Sequence, residues 1–379
     1  MRGEPGLKQV EVVPVTTARE LREFIRLPWK IYRNDPFWIP PLILDMKKLL
    51  NRKAHPFFRH SSADFFLARR NGEWVGRIAA IVNYNHNHYH SERTGFFGFF
   101  ESVDDRDVSS ALLESAAQYL RSRGMNEIRG PMSYSTNETV GLLIEGFDSS
   151  PCIMMGHNPA CYRDMIENAG FVKCIDLYAW WLLPANGLNP KIARVGERVL
   201  KRENVRVRGI DMNHFWKEVD IIKNIYNDAW SANWGFVPMT DDEFIHMAKE
   251  MKQVLDPRVV LIAEKNREPV AFSLALPDFN QALRKVNGRL FPLGLPKLLY
   301  YSRRIRQVRV LALGIVKKVQ NGNGLGAALY YESFRRGVAA GYESCEFSWT
   351  LENNELINRS MELFGARIYK RYRIYRKDL

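Results

Sequence analysis

A glycine-rich loop follows a strand-like run near the C-terminus and is the strongest indication of chemistry in the chain. The apolar run is Val308–Val316, and the loop and first helical turn after it contain Asn321, Gly322, Asn323, Gly324, Leu325, Gly326 and Ala327. Glycines let the backbone turn tightly and approach a ligand, and the first N–H groups of a helix have no partner within it. Because a helix N-terminus also carries partial positive charge, the pattern predicts that a pyrophosphate binds here.

The position of this loop distinguishes it from a Rossmann dinucleotide site. A Rossmann loop follows the first strand of a domain, and an acidic residue comes about 20 positions later. This loop instead follows the third strand of its half of the chain. A purely structural glycine loop is the alternative that the sequence leaves open.

The loop and the segment after it resemble the GNAT superfamily of acyl-CoA-dependent N-acyltransferases. The run Asn321–Ala327 is similar to the family's pyrophosphate loop, Arg/Gln-x-x-Gly-x-Gly/Ala, with Asn321 where Arg or Gln is usual. The segment Trp349–Ala366 matches the family's Glu-Asn-Asn … Gly-Phe segment and places Asn354 at the asparagine that contacts pantetheine. The resemblance implies acetyl-CoA or a longer acyl-CoA as co-substrate, an amine as acceptor, and no metal.

The resemblance also implies how the site residues divide the work. An amine attacks the thioester, backbone N–H groups of a splayed strand stabilise the oxyanion, and a base accepts the proton. Leu313, Gly314 and Ile315 lie on the strand expected to supply those N–H groups, and Asn354 is counted among the catalytic and cofactor contacts. For the base, the long loop region from Pro131 to Pro159 offers Glu138 and His157, between which the sequence does not decide.

One position departs from the family pattern. The same match places Met361 where many GNAT enzymes have the tyrosine that protonates the departing thiolate, and methionine has no proton to donate. Either another group or water protonates the thiolate, or this half has lost its activity.

Two segments about 190 residues apart show the same order of elements, which indicates an internal duplication. Each half is expected to form a hairpin, a strand, a helix, a strand, a helix and a last strand, an α/β pattern with a mixed sheet. The first half is predicted to contain strands or helices at Asp64–Arg70, Trp74–Asn83, Gly95–Ser102, Val108–Arg123, Glu127–Gly130 and Cys161–Asn168. The second half is predicted to contain them at Val259–Glu264, Val270–Leu276, Gln307–Val316, Gly324–Ala340, Ser344–Thr350, Glu355–Leu363 and Arg367–Tyr375. The predicted fold is thus two tandem GNAT-like units, residues 1–185 and 186–379, with a loop-rich junction at Trp180–Arg208.

The first half lacks the phosphate loop. After its third strand it has Glu101-Ser-Val-Asp-Asp-Arg-Asp, whose carboxylates would repel a pyrophosphate. This half is therefore interpreted as a scaffold or substrate-binding half, as in Fem-type tandem aminoacyl transferases.

Histidines and cysteines give a weaker signal. The run Asn83–His90 carries histidines at alternating positions, which a strand end would place on one face. Two interpretations stay open: the histidines act as ligands or catalytic groups, or they are ordinary surface residues. The four cysteines are Cys152, Cys161, Cys174 and Cys345, and their spacing predicts buried thiols without a disulfide or zinc site.

The formal net charge of +13 favours anionic partners, which include nucleic acid, a phospholipid surface and a phosphate-bearing cofactor. The segment Phe279–Arg309 has eight basic residues, no acidic one and an apolar centre. That composition predicts contact with an anionic membrane or a lipid-like acyl chain. The alternative that stays open is an ordinary insertion that packs in the core. The N-terminus shows no secretory signal, so a cytoplasmic protein, peripheral at the inner membrane face, is expected.

The sequence therefore predicts transfer of an acyl group, long-chain by preference, from acyl-CoA to a lipid-like amine, as in the bacterial ceramide synthase group that the layout distantly resembles. Nucleic acid is not the expected partner. Two alternatives stay open: a Fem-type transferase that uses aminoacyl-tRNA but needs no pyrophosphate loop, and a non-catalytic acyl-CoA- or lipid-binding protein, with which Met361 is consistent.

Overall fold

The computed structural model describes residues 9–201, 204–231, 233–320 and 324–379, which form thirteen strands and twelve α-helices. The chain divides into two compact units. The first comprises Met1–Asp176, Asn287–Arg289 and Tyr372–Leu379, and the second Leu177–Val286 and Leu290–Arg371. Up to the strand that runs from the first unit into the second, the elements are β1 Glu11–Pro14, α1 Ala18–Ile31, α2 Ile43–Leu49, β2 Ser62–Arg70, β3 Glu73–Val82, α3 Tyr84–His90, β4 Thr94–Ser102, α4 Arg106–Ser122, β5 Glu127–Gly130, β6 Leu142–Glu145, α5 Tyr162–Asn168 and β7 Val172–Leu182.

The rest of the chain contributes the elements of the second unit and, at its end, a strand that runs back into the first. These are α6 Pro190–Leu200, β8 Val205–Gly209, α7 Phe215–Trp230, α8 Asp241–Met251, β9 Leu261–Lys265, β10 Glu268–Pro277, α9 Asn280–Leu283, α10 Gly294–Ser302, β11 Gln307–Ile315, α11 Leu325–Ala339, β12 Ser344–Leu351, α12 Glu355–Leu363 and β13 Arg367–Asp378.

The first unit is a mixed sheet with α4 on one face. Its strand order is β1–β2–β3–β4–β5–β13, with β6 beside β13, and the β4–β5 pair is parallel. The β2–β3 hairpin turns through Asn71 and Gly72, both at positive φ, as the Asn-Gly pair predicts. Buried residues of α4 four positions apart, Leu112 and Ala116 among them, complete the core with the sheet.

The second unit repeats this plan. Its strand order is β7–β12–β11–β10–β9–β8, again with one parallel pair, β11–β12. On α11, Leu325 and Leu329 lie one turn apart and are buried against Ala263 and Val270 of the hairpin. The predicted order of hairpin, strand, helix, strand, helix and strand is present in both units, so the predicted α/β duplication with mixed sheets is confirmed.

Three local expectations differ from the structure. The histidine run is the helix α3, because Asn83 caps it by accepting a hydrogen bond from the His86 amide at 2.9 Å and Ser91 ends it in the left-handed region. The junction Trp180–Arg208 is not mainly loop, since it contains α6, which Asn189 caps and Pro190 opens.

The third difference concerns the boundary at residue 185. The second compact unit begins at Leu177, and Tyr372–Leu379 belong to the first. The reason is strand pairing: Tyr375–Asp378 are hydrogen-bonded to Gly130–Glu127 of β5.

Candidate functional site

The parallel central strands of the second unit separate part-way along their length. β11 and β12 are paired from Gln307–Ser344 to Val310–Phe347, and the register ends there although both strands continue. On its other edge, β12 stays paired with β7 as far as Leu351. The segment Leu311–Ile315, called here the open edge of β11, therefore faces no strand of the described chain on one side.

The helix that follows the open edge begins at a glycine. α11 begins after Gly324, which has φ +64° and whose position gives no side-chain cap to the helix. The amides of Leu325, Gly326 and Ala327 are therefore the first N–H groups of a fifteen-residue helix, the arrangement that favours an anion. Asn321, Gly322 and Asn323 lie outside the described residues.

Gly324 and Gly326 differ in the space around them. A Cβ on Gly324 would lie 3.0 Å from Val199 and 3.2 Å from Val195, because α6 packs against this end of α11. A Cβ on Gly326 would meet, among described residues, only Ile315 Cδ1 at 3.5 Å, an ordinary contact. Position 324 thus requires glycine, because its backbone is left-handed and its neighbours are close. Gly326, in contrast, leaves space above the first helical turn.

Aromatic side chains lie beside the open edge. Trp230 stacks on Tyr226 with ring centroids 4.8 Å apart and lies 5.8 Å from Phe272. A Cβ on Gly314 would come within 2.5 Å of the Trp230 ring, so this packing by itself explains glycine at position 314. Leu313 and Ile315 pack with the α11–hairpin core. The open edge is therefore set in apolar surroundings, which strengthen electrostatic interactions with its backbone groups.

Asn354 and Met361 have local structural roles. The Asn354 side chain caps α12 by accepting a hydrogen bond from the Ile357 amide at 3.2 Å. Met361 is 1% exposed and belongs to the apolar core with Phe347 and Phe364. The Met361 side chain packs α12 against the sheet. This packing role explains why a methionine is found here, and it requires no proton donor at this position.

A buried charged group lies where β11 and β12 are last paired. Glu346 is fully buried, and Arg309 Nε lies 3.2 Å from its Oε2. Arg309 also donates to Ser348 Oγ at 2.9 Å. Burial raises the pKa of Glu346 to about 7. The Asp278 charge also raises this pKa, whereas the charges of Arg309 and Lys370 lower it. Sequence reasoning missed Glu346, because an isolated glutamate in a strand gives no signal of its burial.

The first unit has the same separation of parallel strands, but its own chain fills it. The β4–β5 register ends at Phe96–Arg129. Beyond it, the Met132 amide donates to Phe97 O at 2.8 Å, and a Cβ on Gly98 would collide with the Met132 carbonyl oxygen. Tyr134 anchors this loop by donating to Leu49 O at 3.0 Å. The chain itself therefore occupies the start of this gap, at Phe97 and Gly98.

Glu138 and His157 lie in the first unit, while the predicted cofactor residues lie in the second. Glu138 is half-buried on the loop that follows Tyr134. His157 Nε2 lies 2.7 Å from Asp35 Oδ2, and its side chain is 4% exposed. The His157 hydrogen bond is one of the causes that hold the pKa of Asp35 below its usual value, against the larger opposing effect of burial. His157 is thus a fixed, carboxylate-paired imidazole.

Within the described ranges, no three His, Cys, Asp or Glu side chains form a group that could hold a metal ion. Among the same residues, no helix is both long and apolar enough to cross a membrane.

Comparison with known proteins gives close sequence relatives. The chain is 37% identical to the bacterial ceramide synthase of Caulobacter vibrioides, over 98% of each chain. It is also 37% identical to protein YghO of Escherichia coli K12, over 95% of this chain and 93% of that protein. The chain belongs to the same family as these two relatives. A comparison with models of known protein families finds no match.

Solved structures support the same family at the level of fold. A tandem GNAT protein from the clavulanic acid biosynthesis pathway superposes with a TM-score of 0.59 at 13% identity, covering 98% of each chain. A GCN5-related N-acetyltransferase from Sphaerobacter thermophilus gives 0.54 at 11% identity, covering 97% of this chain and 95% of the other. The chain accordingly has the tandem GNAT fold, as predicted.

Proposed function

We propose that this tandem GNAT protein transfers an acyl group from acyl-CoA to the nitrogen of a lipid-like amine, and that the second unit holds the acyl-CoA. The observation that carries the proposal is the open edge of β11 leading into the N-terminus of α11. A pantetheine arm contains amides that can pair with a free strand edge. A pyrophosphate fits the helix N-terminus that follows.

The residues predicted to contact the co-substrate keep their proposed places. The amides of Gly324, Leu325, Gly326 and Ala327 would face the pyrophosphate, together with Asn321, Gly322 and Asn323. Leu313, Gly314 and Ile315 would pair with the pantetheine and supply the oxyanion N–H. For Asn354 we propose contact through the part of the side chain that does not cap α12.

The filled gap of the first unit favours a single acyl-CoA site. Since Met132 already pairs with Phe97 at the start of the gap, where a pantetheine would enter, the first unit is suited to scaffolding or acceptor binding. An apolar acceptor is favoured by the aromatic group around Trp230 and by the relative named bacterial ceramide synthase.

The reaction needs one proton acceptor. The amine nitrogen attacks the thioester carbonyl carbon, the C–N bond forms and the C–S bond breaks; the ammonium loses one proton and the thiolate gains one. We assign the acceptor to Glu346, because its carboxylate lies at the last strand pairs before the open edge and a base is most useful with a pKa near the working pH. Glu138 and His157 are the competing assignments from the first unit.

Binding of acyl-CoA tests the site directly. Calorimetry with CoA, acetyl-CoA and palmitoyl-CoA would compare the native protein with Gly326→Glu, which places a carboxylate where the pyrophosphate is proposed. A Cβ at this position makes only an ordinary contact among described residues, and an acid in the first turn of a helix is tolerated. Val338→Glu is the matched control, since it adds the same charge to an exposed position of the same helix.

We expect palmitoyl-CoA to bind the native protein and the control alike, and Gly326→Glu to weaken binding at least about tenfold. An amine screen with palmitoyl-CoA should then yield an amide and free thiol. Binding without turnover of any amine would favour the non-catalytic lipid-binding alternative. Absence of binding by every CoA species would contradict the proposal and favour an aminoacyl-tRNA donor.

A further inference from the structure

Large apolar side chains are concentrated on the surface at and just before α10. Phe291 is 80% exposed, Leu293 65%, Leu299 54% and Tyr300 50%. Single exposed apolar residues are ordinary on a protein surface, but contiguous ones mark an interaction site. Leu295, also exposed, lies one helical turn before Leu299, so the two lie on the same face of α10.

Exposed basic residues flank these apolar ones. They are Arg284, Lys285, Lys297, Arg303, Arg304 and Arg306. The Arg304 guanidinium lies 4.1 Å from the Tyr300 ring centroid, which ties a cation to an exposed aromatic ring. Between Phe279 and Arg309 the sequence has no acidic residue. The surface formed by residues 290–306 with Arg284 and Lys285, called here the α10 surface, is thus apolar at its centre and cationic around it.

We propose that the α10 surface docks this protein on an anionic phospholipid membrane. Charge complementarity selects the occupant: lipid phosphates meet the Arg and Lys ring, while Phe291, Leu293 and Leu299 enter the boundary of the acyl chains. Each Lys or Arg near an anionic leaflet adds to the attraction, and each Leu or Phe removed from water adds to it further. Nucleic acid would match the charges but not the exposed leucines and phenylalanine.

This docking is independent of where acyl-CoA binds, because every residue used lies outside the open edge and α11. It also bears on the proposed function, since a long-chain amine resides in a membrane and would be presented at its surface. A loss of membrane binding and a loss of acyl-CoA binding are therefore separable results.

Co-sedimentation of the full-length protein with vesicles tests the inference. Vesicles of phosphatidylcholine alone would be compared with vesicles containing phosphatidylglycerol, at low and at high salt. One variant is Phe291→Ser/Leu293→Ser/Leu299→Ser, and a second is Lys297→Glu/Arg303→Glu/Arg304→Glu. The matched control is Val338→Ser/Leu356→Ser/Leu363→Ser, which removes exposed apolar side chains of α11 and α12 from the same unit.

We expect binding to the anionic vesicles, weakened by salt, and about tenfold or greater loss in both α10 variants but not in the control. Calorimetry with palmitoyl-CoA should be unchanged in the serine variant, which shows that the protein is folded. Equal vesicle binding by native protein and both variants would overturn the proposal. The proposal would also be overturned if the native protein bound no vesicles and formed an oligomer that the serine variant dissociates. The surface would then be an interface between copies of this chain.

Discussion

At the scale of single residues, the buried Glu346 sets an expected pH dependence. If it accepts the amine proton, kcat/KM should rise with pH up to about 7, where the Glu346 carboxyl ionises. Glu346→Gln should lower the rate about 100-fold or more and remove this acid limb. The measurement is a pH–rate profile, with palmitoyl-CoA affinity as the check that the site is intact.

A structural role for Glu346 gives a different result. The folded protein keeps the Glu346 proton between the ordinary pKa of 4.5 and about 7, whereas the unfolded chain loses it at the lower value. The free energy of unfolding should then fall as pH rises through this interval, and Glu346→Gln should lack that fall. If only this stability effect is seen, and the acid limb disappears in Glu138→Gln or His157→Gln instead, the base lies in the first unit.

Gly324 and Gly326 give a second residue-scale prediction, because an added methyl group would meet different surroundings at each position. Gly324→Ala should destabilise the protein by about 1–2 kcal/mol, because alanine resists a left-handed backbone and Val199 is already close. Gly326→Ala should be neutral or stabilising by about 0.5–1 kcal/mol, because it lies in a helix with room for a methyl group. Urea unfolding of the two variants decides; equal effects would contradict the geometry assigned to Gly324.

At the scale of elements, the helix α3 should make the protein acid-sensitive. Burial, and then the neighbouring His90, lower the pKa of His86 to about 4. Because the unfolded chain takes up this proton near pH 6.5, the free energy of unfolding should fall as pH drops from about 6.5 to 4, by at most about 3 kcal/mol. The fall should be absent in His86→Gln.

The control for this prediction is His214→Gln, since the His214 side chain is 70% exposed. It should retain the native loss of stability in acid. Chemical unfolding at pH 7 and pH 5 measures the free energy of unfolding of both variants. The prediction is contradicted if His86→Gln keeps the native pH dependence. Glu92, which lies 3.2 Å from His86 Nε2, would then keep that imidazole protonated in the folded protein.

At the scale of the whole molecule, the last eight residues should be needed to fold the first unit. Tyr375 is fully buried in its core, and Arg373 binds both oxygens of the buried Asp176 carboxylate at 2.8 and 3.1 Å. Deletion of Tyr372–Leu379 would remove these contacts and leave β5 without a partner on one side. We expect β5 amides to exchange hydrogen much faster in the truncated protein, as measured by mass spectrometry.

The half-exposed Arg376 supplies the control for the truncation. Arg376→Ala removes a partly exposed charge from the same strand and should leave exchange in β5 unchanged. If the truncated protein kept native protection in β5, the first unit would end at Asp176 without help from the C-terminus.

Features that depend on neighbours along the chain could be predicted from the sequence. Backbone preferences of a few residues predict the Asn71-Gly72 turn, the helix ends at Gly124 and Gly341, and the strand–loop–helix around Gly324. Listing such elements along the chain then gives the duplicated order. For the same reason the sequence indicated the GNAT family and an acyltransferase, while the acyl donor and the amine stay proposals.

Features that depend on residues far apart in the chain could be seen only in the three-dimensional structure. Met132 fills the strand gap of the first unit, Glu346 lies buried beside Arg309, and Tyr375 joins a core made of residues from the first half. Each of these follows from which segments meet in space, and burial and pairing of that kind leave no periodic trace in the sequence. The histidine run was misread on a local point, because the Asn83 cap outweighs an alternating pattern.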